Sequence, residues 1–370
     1  MKWRKVKLTE ISNPKQWKNL PISELTKEGF PVYGANGIIG RYKEFNHELP
    51  TLALTCRGAT CGTINITQPK AYITSNAMSL DNLSDDVDQM FLYYALNKRG
   101  FKDVITGAAQ PQITREGLSK IVLNIPERKE DQIHIAKLLC IAEELISQRK
   151  ESIRMLEEYL RSTFLEMFGD PLKNEKGWEL LKVSDYGESR LGKMLDGSKI
   201  IGNNLKPYLG NSNVNWFEFK LDDLLEMDFD EKDKIEFSLM HGDILMCEGG
   251  EIGRCAIWKN QLQECYFQKA IHRIRLNKKF ALPEYFVYMF RIYTFNGGLN
   301  KYKSAATISH LTGEKLKKMK LPMPTITLQT RFVQIVEKTE AIKIQYEKSL
   351  QELENLYGSL SQRAFKGELE

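Results

Sequence analysis

The stretch that decides the fold is residues 130–167, which read EDQIHIAKLLCIAEELISQRKESIRMLEEYLRSTFLEM. It contains neither proline nor glycine and consists mainly of strong helix formers. As one helix it would be roughly 58 Å long at 1.5 Å per residue, which is too long to pack as an ordinary globular helix. Its positions at alternating spacings of three and four form a coiled-coil seam, polar only at Arg149 and Thr163, with Leu139, Ala142, Ile146, Ile153, Leu156, Leu160 and Met167 as the apolar members.

A second helix that could cover this seam lies in the same chain. Residues 329–365 lack proline and repeat the seam 197 positions later, at Val336, Thr339, Lys343, Tyr346, Leu350, Leu353, Tyr357, Leu360 and Ala364. The segments that lead into the two helices, 113–126 and 311–324, also align, each with a short amphipathic stretch, a strand and a proline. The chain is therefore a tandem repeat, and the repeat decides its architecture.

The repeat predicts an α+β protein with two related globular modules and two long helices. The predicted boundaries are 1–127 for the first module, 128–169 for the central helix, 170–325 for the second module and 326–370 for the C-terminal helix. The polar linker at 170–177 is short, so the modules are not loosely tethered.

Length, composition and charge limit the possible classes of protein. A chain of 370 residues with 42% apolar and 27% charged residues can form two globular cores. It has no signal-peptide pattern and no apolar run near 18 residues, so we expect a cytoplasmic protein without a membrane span. A net charge of +5 permits a nucleic-acid partner without requiring one.

The cysteines do not predict a metal site. The six are Cys56, Cys61, Cys140, Cys247, Cys255 and Cys265, with no CxxC pair, and the five histidines are scattered. We expect buried thiols in a reducing cytoplasm and no bound metal.

A glycine-rich turn occurs once in each module, within 51–64 and 242–256. The alignment pairs Cys56 with Cys247, Gly58 with Gly249 and Gly62 with Gly253. The spacing matches no phosphate-binding loop, so the glycines predict tight turns with positive φ. Different side chains at the two tips, Arg57 opposite Glu248 and Thr60 opposite Glu251, are typical of related modules that bind different ligands.

Cations beside amides and hydroxyls follow in both modules. This mixture suits phosphate contacts by the cations and base-edge contacts by the amides and hydroxyls, although an ordinary solvated surface is the alternative for each residue. The predicted DNA-binding residues are Arg57, Thr60, Gln110, Gln112, Arg115, Arg254, Lys301, Lys303, Ser304, Thr307 and His310.

Signatures of catalysis are missing from the sequence. A base methyltransferase needs a glycine-rich cofactor loop and an Asn/Asp-Pro-Pro-aromatic turn, and a nuclease needs clustered carboxylates followed by a lysine. Neither pattern occurs, and no GxSxG motif is present. We predict no catalytic residue in this chain.

Several motifs together resemble the specificity subunit of type I restriction–modification enzymes. They are Ile125-Pro126 with Gln132, Met323-Pro324 with Gln329, the turn at 57–62 and the C-terminal segment 363–369. The resemblance covers the whole chain, and the repeated architecture makes it specific. Lys343 departs from it, because a charge stands on the predicted seam.

This resemblance implies that each module is a target recognition domain that reads one half of a gapped, asymmetric double-stranded DNA site. The long helices would form an antiparallel coiled coil, in a pseudo-twofold repeat, that sets the gap. Two methyltransferase subunits would bind the chain and methylate an adenine in each half, and restriction subunits would complete the endonuclease. S-adenosylmethionine, ATP and Mg would belong to these partners, with no cofactor bound by this chain.

Two other classes of protein remain open at this stage. One is a structural or adaptor protein whose coiled coil carries two ligand-binding heads. The other is a stand-alone DNA-binding regulator, which would bind one gapped site without any partner.

Overall fold

The computed structural model describes residues 1–35, 37–194, 202, 204–300 and 310–369. They form two compact units: the first joins Met1–Lys150 with Lys348–Glu370, and the second is Glu151–Glu347. The first unit is therefore built from both ends of the sequence. Each long helix contributes one half to each unit.

The first unit contains short strands, three α-helices of its own and one part of each long helix. Its strands are β1 (Trp3–Lys7), β2 (Asn13–Gln16), β3 (Phe30–Gly34), β4 (Gly37–Tyr42), β5 (Leu52–Thr55), β6 (Ile64–Ile66), β7 (Tyr72–Ile73), β8 (Ala77–Asp81), β9 (Ile105–Thr106), β10 (Gln112–Ile113) and β11 (Val122–Pro126). Its helices are α1 (Leu8–Ile11), α2 (Gln89–Arg99), α3 (Arg115–Ser119) and the first part of α4 (Lys129–Phe168). Strands β3 and β4 form an antiparallel hairpin.

The second unit follows a similar order of elements. Its strands are β12 (Glu179–Lys182), β13 (Gly187–Leu191), β14 (Leu205–Leu209), β15 (Leu225–Asp228), β16 (Ile244–Cys247), β17 (Cys255–Ile257), β18 (Tyr266–Phe267), β19 (Ile271–Leu276) and β20 (Lys320–Met323). Its helices are α5 (Val183–Tyr186), α6 (Glu231–Glu236), α7 (Pro283–Phe295), α8 (Gly313–Lys318) and the first part of α9 (Ile326–Lys366). Helix α6 is added between β15 and β16, and β9 and β10 have no counterpart among the described residues of this unit.

The two modules share one sheet framework. A four-stranded antiparallel sheet has the order β2-β8-β5-β6 in the first module and β13-β19-β16-β17 in the second. A three-stranded sheet, β4-β3-β7 or β15-β14-β18, combines one antiparallel with one parallel pairing. The pairs β1–β11 and β12–β20 precede the long helices. The predicted α+β repeat is confirmed.

Buried central strands organise each core. Every residue of β5 and of β16 is buried, as expected for apolar strands covered on both faces. Helix α2 packs on the first core through the fully buried Phe91 and Leu92, and its N-terminus is capped by Asp88, which accepts the Phe91 N–H at 2.8 Å. Its counterpart α7 begins with Pro283, a residue preorganised for the first helical turn.

The seam positions of the long helices are protected from solvent. On α4, Leu139, Ala142 and Leu160 are buried, and the other seam residues are half-buried. On α9, Val336, Thr339 and Ala364 are buried and the remaining seam residues are again half-buried. Each helix therefore has one stripe of side chains that is shielded from solvent along its length, as its three–four spacing predicts.

Polar contacts join the two helices within the first unit. Glu143 on α4 accepts hydrogen bonds from Tyr94 on α2 and from Tyr357 on α9, each at 2.8 Å. Lys150 pairs with Glu354 at 2.8 Å. As the residue number rises along α4 from Glu143 to Lys150, the number of the partner on α9 falls from Tyr357 to Glu354. The two helices are therefore antiparallel in this unit.

The second unit shows the same direction of packing. Lys343 forms an ion pair with Glu157 at 2.6 Å, and the rings of Phe164 and Phe332 lie 5.4 Å apart. The antiparallel helix pair is thereby confirmed in each unit. Lys343 occupies its seam position half-buried, with its ammonium group held by a carboxylate on the facing helix.

A buried glutamine attaches the start of α4 to the first module. Gln132 is fully buried; its Nε2 donates to the carbonyls of Asp86 and Pro126, each at 3.0 Å. Its Oε1 accepts the N–H of Asp88, the residue that caps α2, at 2.8 Å. One side chain thus satisfies three backbone groups that would otherwise be buried without partners.

Gln329 makes the same three contacts in the second module. Its Nε2 donates to the carbonyls of Phe280 and Pro324 at 2.9 Å, and its Oε1 accepts the N–H of Leu282 just before α7 at 2.9 Å. The proline and glutamine of the sequence motif therefore have a structural purpose. They fix the exit of the long helix from its module.

Within the described residues, no helix is apolar over a length that could cross a membrane. The expectation that the cysteines are buried is wrong for Cys140, which is exposed on α4, and Cys61 is only half-buried. Position 140 lies outside the three–four seam, so burial of the stripe does not cover it.

Candidate nucleic-acid interface

The glycine-rich turn of the first module is held against a distant segment of the chain. The N–H of Gly58 donates to the Pro111 carbonyl at 3.0 Å, and the N–H of Ile113 donates to the Cys56 carbonyl at 2.9 Å. Arg57 and Gln112 form an antiparallel bridge and are both exposed. The structure thus brings together two predicted DNA-binding residues that are far apart in sequence.

Positive φ angles at two glycines shape this turn. Gly58 has φ +93° and Gly62 has φ +97°, which confirms the prediction of tight turns that need glycine. Thr60 lies between them, half-buried, and its hydroxyl donates to the Ala35 carbonyl. Its hydroxyl therefore links this turn to the hairpin of β3 and β4.

Gln110 and Arg115 flank the same segment. Gln110 is exposed in a tight loop that begins at Gly107, where a Cβ atom would lie 2.5 Å from the Gln110 carbonyl oxygen. Arg115 is exposed at the first position of α3, and its guanidinium donates to Asn13 Oδ1 on β2 at 2.8 Å. Arg115 is thus attached to the edge strand of the four-stranded sheet.

Sequence reasoning missed a group of polar residues beside Cys56, the residue that precedes Arg57. Gln16 Nε2 donates to the Ser75 carbonyl at 3.1 Å and lies 3.2 Å from Cys56 Sγ. The Ser75 hydroxyl donates to Asn19 Oδ1 at 3.2 Å. The available signal was the run NPKQWKN at 13–19, which is rich in amides and cations although it enters an edge strand.

The equivalent turn of the second module has one residue fewer. In the first module the N–H of Gly62 donates to the Thr55 carbonyl; in the second the N–H of Gly253 donates to the Cys247 carbonyl, each at 2.9 Å. Thr55 is therefore the structural counterpart of Cys247, and the predicted pairing of Cys56 with Cys247 is wrong by one position.

The same shift applies to the residues at the tip. The N–H of Leu311 donates to the Glu248 carbonyl at 2.8 Å, just as that of Ile113 donates to Cys56. The counterpart of Gly58 is Gly250, which has φ +68°, rather than the predicted Gly249. The loops differ in length, so residue-by-residue comparison of their tips from sequence was out of register.

Arg254 lies inside the second module rather than on an open surface. Its guanidinium donates to the Asn211 carbonyl at 2.8 Å and pairs with Glu251 at 3.3 Å, and its side chain is 20% exposed. Glu251 also accepts from Trp216 Nε1 at 3.1 Å. These contacts brace the turn from within.

Among the remaining predicted residues, only His310 is described. It is exposed, and its ring lies 3.2 Å from where a Cβ of Gly249 would be, so it packs on the turn. The other four, Lys301, Lys303, Ser304 and Thr307, lie outside the described residues.

Pairs of apolar side chains remain exposed on the long helices. The first unit has Leu145 on α4, 43% exposed, and Leu356 on α9, 50% exposed. The second has Tyr159 on α4, 52% exposed, and Ile342 on α9, 41% exposed. Tyr159 and Leu356 occupy equivalent positions of the repeat, as do Leu145 and Ile342, so each unit presents the same two positions.

Burial changes the titration of the thiols near the two turns. Burial raises the pKa of the Cys56 thiol, and burial also raises that of Cys247. Within the described part of the chain, no cluster of three or more His, Cys, Asp or Glu side chains is arranged to hold a metal ion. The chemistry that these surfaces offer is hydrogen bonding and charge.

Comparison with known proteins identifies similar sequences. A model of the type I restriction modification DNA specificity domain matches residues 1–155 and 175–355. A Haemophilus influenzae protein described as type I restriction enzyme specificity subunit S.HindORF215P is 24% identical over 346 residues, covering 90% of this chain and 87% of that protein. The type I restriction enzyme EcoprrI specificity subunit of Escherichia coli is 27% identical over 110 residues, which are 30% of this chain and 27% of that protein.

Solved structures share the fold over nearly the full length. The S subunit of a type I restriction–modification system from M. genitalium superposes with a TM-score of 0.63 at 17% identity, covering 98% of this chain and 96% of that one. A chain from a study of complex assembly and conformational transition in the type I R-M system gives a TM-score of 0.60 at 16% identity, covering 99% and 98%.

Proposed function

The chain belongs to the type I restriction–modification DNA specificity family, and we propose that it reads a gapped DNA site in two halves, one with each module. The observation that carries this proposal is the repeated framework with unlike surfaces. Two modules with the same strand order have different side chains on their equivalent turns. A shared scaffold with a variable surface suits recognition of two different half sites.

The proposed contact surface of the first module combines three segments. Arg57, Gln110 and Gln112 are exposed, and the backbone bonds of the turn hold Arg57 beside Gln112. The cation suits phosphate oxygens or a guanine edge, and the amides suit an adenine edge. Gln16 and Asn19 extend this surface along the edge strand.

The proposed partners are two methyltransferase subunits, with restriction subunits added to complete the complex. Exposed apolar positions repeated on the long helices, Leu145 with Leu356 and Tyr159 with Ile342, suit burial under such partners. Because the pair of positions occurs once in each unit, two copies of one partner can use equivalent surfaces.

We assign the catalytic steps of the complex to those partner subunits. We propose that the chain has no catalytic activity, that S-adenosylmethionine is bound by the methyltransferase subunits, and that ATP and Mg are used by the restriction subunits. The complex would act on DNA in the cytoplasm. This division of labour leaves the chain with recognition and spacing as its roles.

Methylation sequencing of cells that carry the complete system tests the proposal. The expected result is a two-part motif with an unread spacer and one methylated adenine in each half. Binding of a gapped site by the chain alone would favour a stand-alone regulator. Absence of any methylated motif, or of DNA binding with the methyltransferase present, would favour an adaptor protein and contradict the proposal.

Matched insertions test the proposed spacing role of the helices. Four residues, about one helical turn, are inserted after Ser147 on α4 and after Glu354 on α9. This design preserves the Glu143–Tyr357 and Lys150–Glu354 contacts on either side. We expect a longer spacer with both half sites unchanged. Insertion in α4 alone is the control, since it puts those two contacts out of register; an unaltered spacer with the matched pair would reject the spacing role.

A further inference from the structure

A pocket of about 650 Å³ lies in the second module beside the edge strand β13. It is bordered by β13, by β19 and by the start of α8. Residues of different chemistry line it, including Ser189, Phe237, Lys269, His272, Gly313 and Lys317. All of them belong to the second unit.

A missing side chain opens this pocket. The short helices α3 and α8 both follow a threonine, and their first residues are Arg115 and Gly313. In the first module the Arg115 side chain spans from the helix to Asn13 on the edge strand. In the second module Gly313 has no side chain to fill the corresponding space.

The residue beside Gly313 also differs between the modules. Strand pairing places His272 opposite Met246 on β16, and Met78 opposite Leu54 on β5, so His272 is the counterpart of Met78. A Cβ atom on Gly313 would lie 3.5 Å from His272 Cε1 and 3.9 Å from its Nδ1. The Nδ1 edge of the imidazole therefore faces the space that Gly313 leaves open.

The hydrogen bond that His272 already makes determines which of its two ring nitrogens can accept a further hydrogen bond. Nε2 lies 2.9 Å from the Leu311 carbonyl oxygen, which can only accept, so Nε2 carries the hydrogen. Burial lowers the pKa of this histidine, which favours the neutral ring with a lone pair on Nδ1. His272 is fully buried, and among the described residues its Nδ1 and the Ser189 hydroxyl have no hydrogen-bond partner.

We propose that this pocket binds a nucleobase displaced from the stack of the second half site, with a base N–H donating to His272 Nδ1. An acceptor on a buried floor requires a donor that enters the pocket, and every nucleobase has an amino or imino N–H on its pairing edge. A base that remains in the duplex cannot place that edge on such a floor. This inference rests on the proposed function.

The walls of the pocket fit the same ligand. Lys269 and Lys317 on these walls are cations suited to the flanking phosphates. The carboxylates that also line the pocket are paired: Asp233 with Lys193 at 2.5 Å, Glu236 with Arg190, and Glu314 with Lys318 at 3.9 Å.

Mismatch scanning of the second half site tests the proposal in the complex with the methyltransferase partners. The site is first determined by methylation sequencing, and duplexes with single mismatches at each position except the methylated bases are then titrated. Disrupting the pair of a displaced base removes part of its unpairing cost. We expect one mismatch to increase affinity about tenfold in the wild type.

Two variants test whether this increase in affinity on mismatch depends on the pocket. Gly313→Ala adds a methyl group at ordinary contact distance from His272 and covers Nδ1 without strain in the backbone. His272→Met introduces the first module's residue and removes the acceptor. We expect the mismatch gain to fall below about twofold in both variants. Gly358→Ala is the control, because its added Cβ contacts nothing within 4 Å, and it should retain the full gain.

The outcomes separate this inference from the proposed function. A wild-type complex that methylates a gapped motif but shows no mismatch gain, or a gain that persists in Gly313→Ala, would overturn the pocket assignment alone. A wild type with no gapped motif would overturn the proposed function. Should His272→Met unfold, as thermal melting would reveal, Gly313→Ala decides the question.

Discussion

The two modules share one framework of strands but have side chains of different chemistry at several equivalent positions. At the end of β8, Asp81 pairs with His47 at 2.9 Å, whereas its counterpart on β19, Arg275, pairs with the buried Asp243 through two bonds of 2.7 Å. The side chain at this position is acidic in the first module and basic in the second, yet in each module a nearby side chain pairs with it. The framework is maintained by backbone pairing and buried apolar residues, and therefore tolerates such exchanges at its edges.

The glutamines at the starts of the two long helices make the same three hydrogen bonds in both modules. Their replacement should therefore cause the largest loss of stability. Gln132→Leu leaves two carbonyls and one N–H in the first module without partners, and Gln329→Leu does the same in the second. We expect each to cost roughly 3 kcal/mol or more in the free energy of unfolding of its own unit.

Hydrogen exchange measured by mass spectrometry can assign each loss to a unit. Gln334→Leu, at an exposed position on α9, is the matched control and should be nearly neutral. A strong loss from one glutamine and none from the other would break the equivalence of the two modules.

The arginines near the two turns should separate stability from DNA binding. Arg254→Ala leaves the Asn211 carbonyl without its donor and should cost roughly 1–3 kcal/mol of stability. Arg57→Ala removes an exposed side chain and should change stability by less than about 0.5 kcal/mol. The same Arg57 variant should weaken DNA binding of the assembled complex by about tenfold.

Thermal melting and titration with the cognate duplex measure the two quantities independently. Equal losses of stability for Arg254→Ala and Arg57→Ala would contradict the difference in placement that the structure assigns to them.

A smaller effect is expected from pH. Burial acts to raise the pKa of Asp81, but hydrogen bonds from His47 and Ser79 outweigh it, and the net pKa is lowered. A lowered folded-state pKa stabilises the fold above the unfolded value of about 3.9, and this contribution is lost as the pH falls through the folded value. Asp81→Asn should therefore cost roughly 1 kcal/mol near neutral pH and progressively less below about pH 4.

The dependence of the melting temperature on pH provides the measurement. Asp223→Asn, which alters an exposed carboxylate, is the control. A deficit for Asp81→Asn that stays constant down to pH 2 would show that lost packing, rather than lost charge, is responsible.

Periodicity explains why the helices were the most predictable part of the fold. The three–four spacing of apolar residues continues through both helices, and α4 and α9 begin and end within a few residues of the predicted limits. The order of the short strands in each sheet could not be predicted, because strands such as β7 and β18 contain two residues each and have no periodicity to read.

The candidate site was only partly predictable for related reasons. The turns were found from their glycines, but their alignment was shifted because the second loop is one residue shorter. Local sequence does not determine the direction of a side chain. Arg254 was predicted to contact DNA, and in the structure its guanidinium donates to the Asn211 carbonyl within its own module. The neighbours of Cys56, among them Gln16 and Ser75, are brought near by sheet pairing between distant segments.

The discontinuity of the first unit has a consequence for biosynthesis. Its last part, Lys348–Glu370, leaves the ribosome after the whole of the second unit, so residues 1–150 wait for about 200 codons before Ala364 and Leu369 can complete their core. At translation rates of roughly 5–20 residues per second, this delay is about 10–40 s. The nascent first module must therefore tolerate an uncovered apolar surface for that interval, whereas the second is continuous in sequence and can close as it emerges.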